Sequence, residues 1–280
     1  MKPTLDPSLV AQGLLLPATR RLSLAISLAS LVAMPSLPPP VWAEADDRCA
    51  KEIAIQGAYV SECMRDPTRQ FEWPNAGKLT IEQGSVGPGS TGAAVWQAGS
   101  VLSRHLVANP SLVEGRKVIE LGCGTGLCGM VAARLGASTV LLTDGVDPVL
   151  ERAARNVERN GLVEGSRDGS RSGVRTRKLL WGELPLDVEL RGAFDVVLAS
   201  DVLYQSSAWR GFAQTVSELL KPRDGILLLA EAGHENTPTM STLAGFKVVA
   251  DGAGLRVGDA FEADGSSTGS DALLITATAS

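Results

Sequence analysis

VIELGCGTGLCGM, residues 118–130, contains three glycines at a point where an apolar segment becomes a run of small residues. The apolar opening predicts a buried strand, and the residues after Gly126 predict a helix. Between them Gly122, Gly124 and Gly126 predict a tight turn whose backbone other atoms can approach closely, because glycine has no side chain. The turn therefore marks the place where we expect a ligand to bind.

The rest of the domain repeats this strand-and-helix alternation. Strands are predicted at 117–122, 138–144, 176–183, 194–204, 225–233, 246–254 and 271–279, and helices at 93–107, 127–136, 147–161 and 209–221. The strands are nearly continuous apolar runs, which is typical of a parallel sheet that is covered on both faces. We therefore predict an α/β fold with a doubly wound, seven-stranded, Rossmann-like sheet. The last two predicted strands have no helix between them, which predicts an antiparallel final strand at the edge.

Residues 1–45 are predicted to lie outside the fold. Arg20 and Arg21 precede thirteen residues without a charge, and a proline-rich segment with small residues follows. This pattern is typical of a targeting leader, the alternative being a disordered segment, and its apolar part is too short to span a bilayer. Residues 46–92 are predicted to form an N-terminal extension with short strands, and residues 93–280 the main domain. A Gly/Ser/Arg-rich insertion at 164–173 is predicted to be a loop.

The composition disfavours several classes of partner. The chain has 280 residues, 44% of them apolar, and a net charge of −5, which suits a globular protein without a basic nucleic-acid footprint. We expect no nucleic-acid partner, no stable membrane association and a monomer.

Of the four cysteines, Cys123 and Cys128 are expected to be small buried residues. Cys49 and Cys63 are able to pair only in an oxidising compartment.

The glycine spacing by itself leaves the ligand open. A dinucleotide fingerprint has the spacing G-x-G-x-x-G, whereas Gly122, Gly124 and Gly126 are each two residues apart. Gly129 is able to serve as a late third glycine, so an NAD-dependent oxidoreductase remains an alternative at this point. A P-loop is excluded because no G-K-[S/T] follows the turn.

Two acidic residues narrow the choice. Glu120 ends the first strand beside the turn, where a carboxylate repels a phosphate but accepts a hydrogen bond from a cationic or hydroxyl-bearing ligand. Asp144 ends the second strand, roughly 20 residues further on, where a ribose diol is held in such folds. An adenosine ligand without phosphates suits both acids.

The motifs resemble those of a known family. ELGCGTG (120–126) is similar to the cofactor-binding turn of the class I, seven-strand S-adenosylmethionine-dependent methyltransferases. TGAAVW (91–96), LLTD (141–144), NVERNG (156–161), LLWGE (179–183) and SDVLY (200–204) follow the order found in the lysine methyltransferase branch called family 16. The resemblance covers roughly residues 70–280 and implies S-adenosylmethionine as the cofactor.

The resemblance also implies site residues. It assigns cofactor binding to Trp96, Glu120, Gly122, Gly124, Gly126, Asp144, Trp181 and Ser200, and catalysis to Asp201 and Tyr204. In this assignment the glycines face the methionine part, Asp144 holds the ribose hydroxyls and Trp181 lies beside the adenine. The alternatives are a turn residue for Asp144 and core packing for Trp96 and Trp181.

The segment Asp201-x-x-Tyr204 is expected to meet the methyl acceptor. A carboxylate is able to aim an incoming lysine ammonium, and a tyrosine ring is able to hold it by cation–π attraction. This chemistry needs no metal. The alternative is that Asp201 is a helix N-cap and that Tyr204 packs on the core.

The predicted function is therefore S-adenosylmethionine-dependent methyl transfer, with a lysine side chain of a protein as the acceptor. The alternatives are a small-molecule or other protein acceptor, and a non-catalytic methyltransferase-like binding module. Since the cofactor is an intracellular metabolite, we expect an intracellular location: the interior of an organelle such as a plastid if the leader is a signal, and otherwise the cytoplasm.

Overall fold

The protein is described from a computed structural model over residues 52–55, 58–164, 173–232, 239–258, 261–262 and 273–279. The predicted leader, Cys49 and most of the predicted insertion lie outside these described residues. Strand β1 (Glu52–Ile55) pairs antiparallel with β2 (Ala58–Ser61). β3 (Thr68–Trp73) and β4 (Gly77–Glu82) form a second antiparallel hairpin.

The main sheet has the predicted doubly wound topology. Its strands are β5 (Lys117–Leu121), β6 (Thr139–Asp144), β7 (Gly173–Lys178), β8 (Val196–Ser200), β9 (Ile226–Glu231), β10 (Leu255–Val257), β11 (Phe261–Glu262) and β12 (Leu273–Ala279). The order across the sheet is β10-β12-β9-β8-β5-β6-β7, with β11 beside β12. β5 to β9 run parallel, and β12 is antiparallel to its neighbours.

Helices cover both faces of this sheet. They are α1 (Gln97–Ala108), α2 (Leu127–Arg134), α3 (Asp147–Arg159), α4 (Trp209–Leu219) and α5 (Thr239–Asp251). Alternate residues of β8 show the arrangement, because Val196 and Leu198 belong to the core shared with α1, α2 and α3. Val197 and Ala199 belong to the core shared with α4 and α5. The continuous apolar strands thus have a separate core on each face.

Two predictions near the C-terminus are wrong. Residues 246–251, predicted as a strand, belong to α5, and β10 begins only at Leu255. Phe246 and Ala250 are both buried, at the four-residue spacing of a helix, while Val248 is 75% exposed. The adjacent Val248 and Val249 favour a strand locally, but burial of one face of the helix overrides that preference. The antiparallel strand β12 also lies between β9 and β10 and not at the edge of the sheet.

The cysteines divide into two groups. Cys123 and Cys128 are free and buried, as predicted. Burial raises the pKa of both thiols well above the ordinary value, so both remain protonated at neutral pH. Cys63 is disulfide-bonded.

Candidate functional site

One cavity of about 930 Å³ opens where β5, β6 and β8 end. Parallel strands direct their carboxyl ends to one edge of the sheet, so residues distant in sequence meet there. Nine of the ten predicted site residues line the cavity: Trp96, Glu120, Gly122, Gly124, Asp144, Trp181, Ser200, Asp201 and Tyr204. The sequence motifs therefore converge on one site, in which helix α1 supplies one wall.

The glycine turn lies against other parts of the protein as well as the cavity. A Cβ at Gly122 would lie 3.1 Å from both the indole of Trp181 and a methyl of Val202. Gly124 has φ +53°, and a Cβ there would lie 3.1 Å from the carbonyl oxygen of Gly92. Both positions favour glycine because other parts of the protein approach the backbone closely there, in addition to the cavity that both residues line.

Gly126 does not belong to the cavity wall. It precedes α2, and a Cβ there would lie 2.8 Å from a methyl carbon of Leu142 on β6. Close packing of α2 on the sheet thus gives a structural reason for this glycine, and its predicted cofactor contact stays a prediction.

Asp144 holds the turn in shape. Its Oδ2 accepts a hydrogen bond from the N–H of Gly124 (3.2 Å), and its Oδ1 accepts one from the N–H of Val146 (3.0 Å). The N–H of Cys123 donates to the carbonyl of Thr143 (2.8 Å), which ties the turn to β6. Burial raises the pKa of Asp144, and these backbone hydrogen bonds oppose that shift. Since a carboxylate has about four acceptor positions, Asp144 retains room for hydroxyl donors.

Glu120 is buried beneath the turn. Its Oε2 accepts a hydrogen bond from the N–H of Gly129 in α2 (2.8 Å). Burial raises the pKa of Glu120 to about 8, the bond from Gly129 opposes the shift, and the nearby Asp144 adds to it. At neutral pH the group is therefore mainly a neutral acid that fastens α2 to β5.

Two tryptophans and Ser200 form side walls. Trp181 lies on the loop after β7, and its ring meets that of Phe212 edge-on, with centroids 5.0 Å apart. The same ring lies over Gly122, which leaves a half-buried aromatic surface on the cavity. Trp96 donates its indole N–H to the carbonyl of Thr91 (2.8 Å). This bond fixes the indole at the start of α1.

Asp201 has an unusual backbone and two backbone partners. Its φ is +52°, a backbone conformation that residues other than glycine rarely adopt. Its Oδ2 accepts a hydrogen bond from the N–H of Ala98 (3.2 Å), and its Oδ1 accepts one from the N–H of Ala232 (3.0 Å). Asp201 therefore caps α1, rather than the helix that follows it, and also lines the cavity.

Tyr204 lies at the mouth of the cavity. Its side chain is 55% exposed, so it does not pack into the core. An exposed ring at the entrance is available to an incoming side chain.

Glu231, which is not among the predicted site residues, supports the loop after β8. It is 5% exposed, and its Oε1 accepts hydrogen bonds from the N–H groups of Val202 (2.8 Å) and Leu203 (3.0 Å). Burial and the neighbouring charge of Asp201 raise the pKa of Glu231 well above its ordinary value. Glu231 thus fixes the backbone between Asp201 and Tyr204. Its sequence signal is an acidic end to the apolar strand ILLLAE.

The charge of the cavity restricts its ligands. Three carboxyl-bearing residues, Glu120, Asp144 and Asp201, line it, and none of the described lining residues is Lys, Arg or His. Because Glu120 is mainly neutral at pH 7, Asp144 and Asp201 supply the negative charge of the cavity. They would repel a phosphate group, which meets no basic side chain among the described lining residues, and would attract a cation or a hydroxyl-bearing ligand. The cavity therefore suits a positively charged nucleoside and disfavours a dinucleotide.

Comparisons with known proteins agree with this site. The family described as lysine methyltransferase matches residues 74–242. A protein-lysine N-methyltransferase EFM3 of Chaetomium thermophilum is 31% identical over 222 residues, which are 77% of this chain and 61% of the relative. A protein N-lysine methyltransferase METTL21A of Danio rerio is 38% identical over 138 residues, which are 49% of this chain and 59% of the relative. The chain thus spans about 60% of the length of these two relatives.

A solved structure supports the fold. A SAM-dependent methyltransferase from Aquifex aeolicus superposes with a TM-score of 0.50 at 17% identity, covering 65% of this chain and 92% of that one. The shared architecture is the α/β methyltransferase sheet with its antiparallel strand.

Proposed function

The chain belongs to the lysine methyltransferase family, and we propose from this membership that it is an S-adenosylmethionine-dependent protein-lysine N-methyltransferase. The observation that carries the proposal is the cavity, whose lining has three carboxyl-bearing residues and, among the described residues, no basic side chain. The two relatives, which are named as protein-lysine N-methyltransferases, agree with the same acceptor class.

The cavity residues suit each part of the donor. Asp144 has free acceptor positions for the two ribose hydroxyls, and Trp181 offers a ring surface for the adenine. The turn around Gly122 and Gly124 and the wall residues Trp96 and Ser200 enclose the amino-acid part. When bound, S-adenosylmethionine supplies a methyl group on a positively charged sulfur. Glu120 acts beneath the site by holding α2.

Asp201 and Tyr204 are proposed to receive the acceptor lysine. The Asp201 carboxylate accepts hydrogen bonds from two backbone N–H groups and also lines the cavity, where it is proposed to attract the ammonium and aim it at the donor. The exposed ring of Tyr204 holds the same cation from the mouth of the cavity. Because free lysine has a pKa of about 10.4, its ammonium must lose a proton before the nitrogen can attack. These residues supply alignment, the main source of acceleration in such a transfer.

We propose a protein substrate, a monomeric enzyme and an intracellular location. The location follows from the donor, which is an intracellular metabolite. Because Cys63 is disulfide-bonded, the interior of an organelle that allows disulfides fits better than the reducing cytoplasm, in keeping with the targeting leader that is proposed for residues 1–45. Residues 46–92 are proposed as an N-terminal extension of the catalytic domain at 93–280. No helix in the described part of the chain is long and apolar enough to cross a membrane.

The donor assignment is tested by thermal unfolding of the full chain with S-adenosylhomocysteine or NAD⁺. A ligand that binds only the folded state raises the unfolding temperature with its concentration. We expect S-adenosylhomocysteine to stabilise the protein and NAD⁺ to leave it unchanged. Trp181→Ala should weaken the stabilisation. Stabilisation by NAD⁺ alone would overturn the proposal.

A further inference from the structure

Two asparagines of α3 bind the edge of the β3–β4 hairpin. The Oδ1 of Asn160 accepts a hydrogen bond from the N–H of Thr80 (2.9 Å), and its Nδ2 donates to the carbonyl of Thr80 (2.9 Å). Asn156 makes the same pair of bonds with Glu82, at 2.7 and 3.2 Å. Thr80 and Glu82 are two residues apart, so both face the same edge of β4. The carboxamides therefore take the place of a neighbouring strand.

Asn156 differs from Asn160 in one further bond. Its Nδ2 also donates to the carbonyl of Thr125 (3.0 Å), which lies in the glycine turn and lines the cavity. The Asn156 side chain is fully buried, so water cannot replace a lost partner there. Asn160 instead donates its further hydrogen bond to the carbonyl of Asn156 within α3 (2.8 Å).

The hairpin continues into the segment that leads to Trp96 and α1, which forms another part of the cavity wall. Gln83 is buried, and its Oε1 accepts a hydrogen bond from the N–H of Val95 (2.8 Å). The N–H of Gly84 donates to the carbonyl of Ala93 (2.8 Å). These bonds fix the segment that leads directly to Trp96. A continuous set of hydrogen bonds and peptide links therefore joins the glycine turn, through Asn156 and the hairpin, to the wall formed by α1.

We propose that Asn156 is a positioning residue that couples donor binding at the glycine turn to the order of the hairpin and of the Trp96 wall. The inference rests on the proposed function for the identity of the donor. A ligand that fixes the turn also fixes the Thr125 carbonyl, and through Asn156 it restrains Glu82 and the segment after it. Coupling of this kind is reciprocal, so loosening the bond at Asn156 weakens donor binding.

The matched variants are Asn156→Asp and Asn160→Asp. Both keep the size of the side chain and the acceptor for the hairpin N–H, add one negative charge to α3 and lose the Nδ2 donors. Only Asn156→Asp removes the bond to the turn. We expect its dissociation constant for S-adenosylhomocysteine, measured by calorimetry, to rise about tenfold, with little change in Asn160→Asp. Equal effects in the two variants, or none, would overturn the inference.

Hydrogen exchange of the unmodified chain tests the coupling even if Asn156→Asp fails to fold. S-adenosylhomocysteine should slow amide exchange in residues 79–96 as well as in the turn at 120–126. Protection confined to the turn would overturn the inference while leaving the proposed function intact. Failure of the unmodified chain to bind S-adenosylhomocysteine would count against the proposed function, and the inference would fall with it.

Discussion

The carboxylate of Asp201 accepts a hydrogen bond from the backbone N–H of Ala98 at 3.2 Å, although 103 positions separate the two residues. Ala98 is the second residue of α1, where N–H groups have no partner within the helix and a negative charge is favoured. One side chain therefore caps the helix that forms a cavity wall and also faces the proposed acceptor. Replacing Asp201 should affect both stability and methyl transfer.

The first prediction separates these two roles. Asp201→Ala removes the cap and places alanine at a φ of +52°, so it should destabilise the protein by about 1–3 kcal/mol. Asp201→Asn should cost less, because asparagine tolerates this φ and keeps one acceptor oxygen. Both variants should lose most methyl transfer, since neither carries a carboxylate for the ammonium. Urea unfolding and initial rates provide the measurements. Full activity in Asp201→Asn would remove the carboxylate from the proposed mechanism.

The second prediction concerns the contact between Gly124 and Gly92. Gly124→Ala suffers both the positive φ and a Cβ lying 3.1 Å from a carbonyl oxygen, whereas Gly115→Ala has φ +71° with open space around the Cβ. The control variant Gly115→Ala should lower the free energy of unfolding by about 1–2 kcal/mol and leave ligand binding unchanged. Gly124→Ala should lower the free energy of unfolding more and should weaken binding of S-adenosylhomocysteine. Equal unfolding free energies for the two variants would show that the close approach of Gly92 is without consequence.

The third prediction tests how Glu231 holds the loop after β8. Glu231→Gln keeps an oxygen that accepts from the N–H groups of Val202 and Leu203, while Glu231→Ala removes it. Amide exchange at Val202 and Leu203 should be fast in the alanine variant and close to normal in the glutamine variant. Methyl transfer should follow the same order. The account of Glu231 fails if its alanine variant retains slow exchange at both amides.

The fourth prediction is a pH dependence of stability from Glu120. Its folded pKa of about 8 lies above the ordinary value of 4.5, so the folded protein favours the neutral acid. The contribution of this group to stability is complete below about pH 4.5 and is lost as the pH rises through about 8. Glu120→Gln stays neutral throughout and can still accept from Gly129. The unmodified protein should therefore lose stability relative to this variant between about pH 4.5 and about pH 8, with little further change above that.

Parallel denaturation curves of the two proteins provide that measurement. Other buried acids, such as Asp144, are present in both proteins, so the difference reports mainly on Glu120. A difference in unfolding free energy that stays constant across this pH range would contradict the raised pKa.

The sequence predicted features that depend on neighbouring residues. The glycine turn, Asp144 at the end of its strand and the Asp201-x-x-Tyr204 segment are all local patterns. The sequence did not predict the role of Glu231, whose partner Val202 is 29 positions away. Nor did it predict the additional role of Asn156, whose partner Glu82 is 74 positions away. Such partners are set by the order of the strands and by the docking of the hairpin, which no short window of sequence contains.

The error at residues 246–251 has a similar origin. Val248 and Val249 favour a strand locally, but packing of Phe246 and Ala250 against the core selects a helix. The cofactor contact of Gly126 stays a prediction, but the group that requires a glycine there, the side chain of Leu142, lies on the neighbouring strand. Local preference identified the turn correctly but not the group that packs on it.

The most direct measurement follows the methyl group itself. The full chain is incubated with methyl-labelled S-adenosylmethionine and a cell extract, and labelled protein is hydrolysed to identify the modified amino acid. Tyr204→Ala and Tyr204→Phe are matched variants of an exposed side chain, the second of which keeps the ring that attracts the cation. We predict label in methyllysine, strongly reduced in Tyr204→Ala and largely kept in Tyr204→Phe. Label found only in a small molecule, or no label despite donor binding, would contradict the assignment of a protein-lysine methyltransferase.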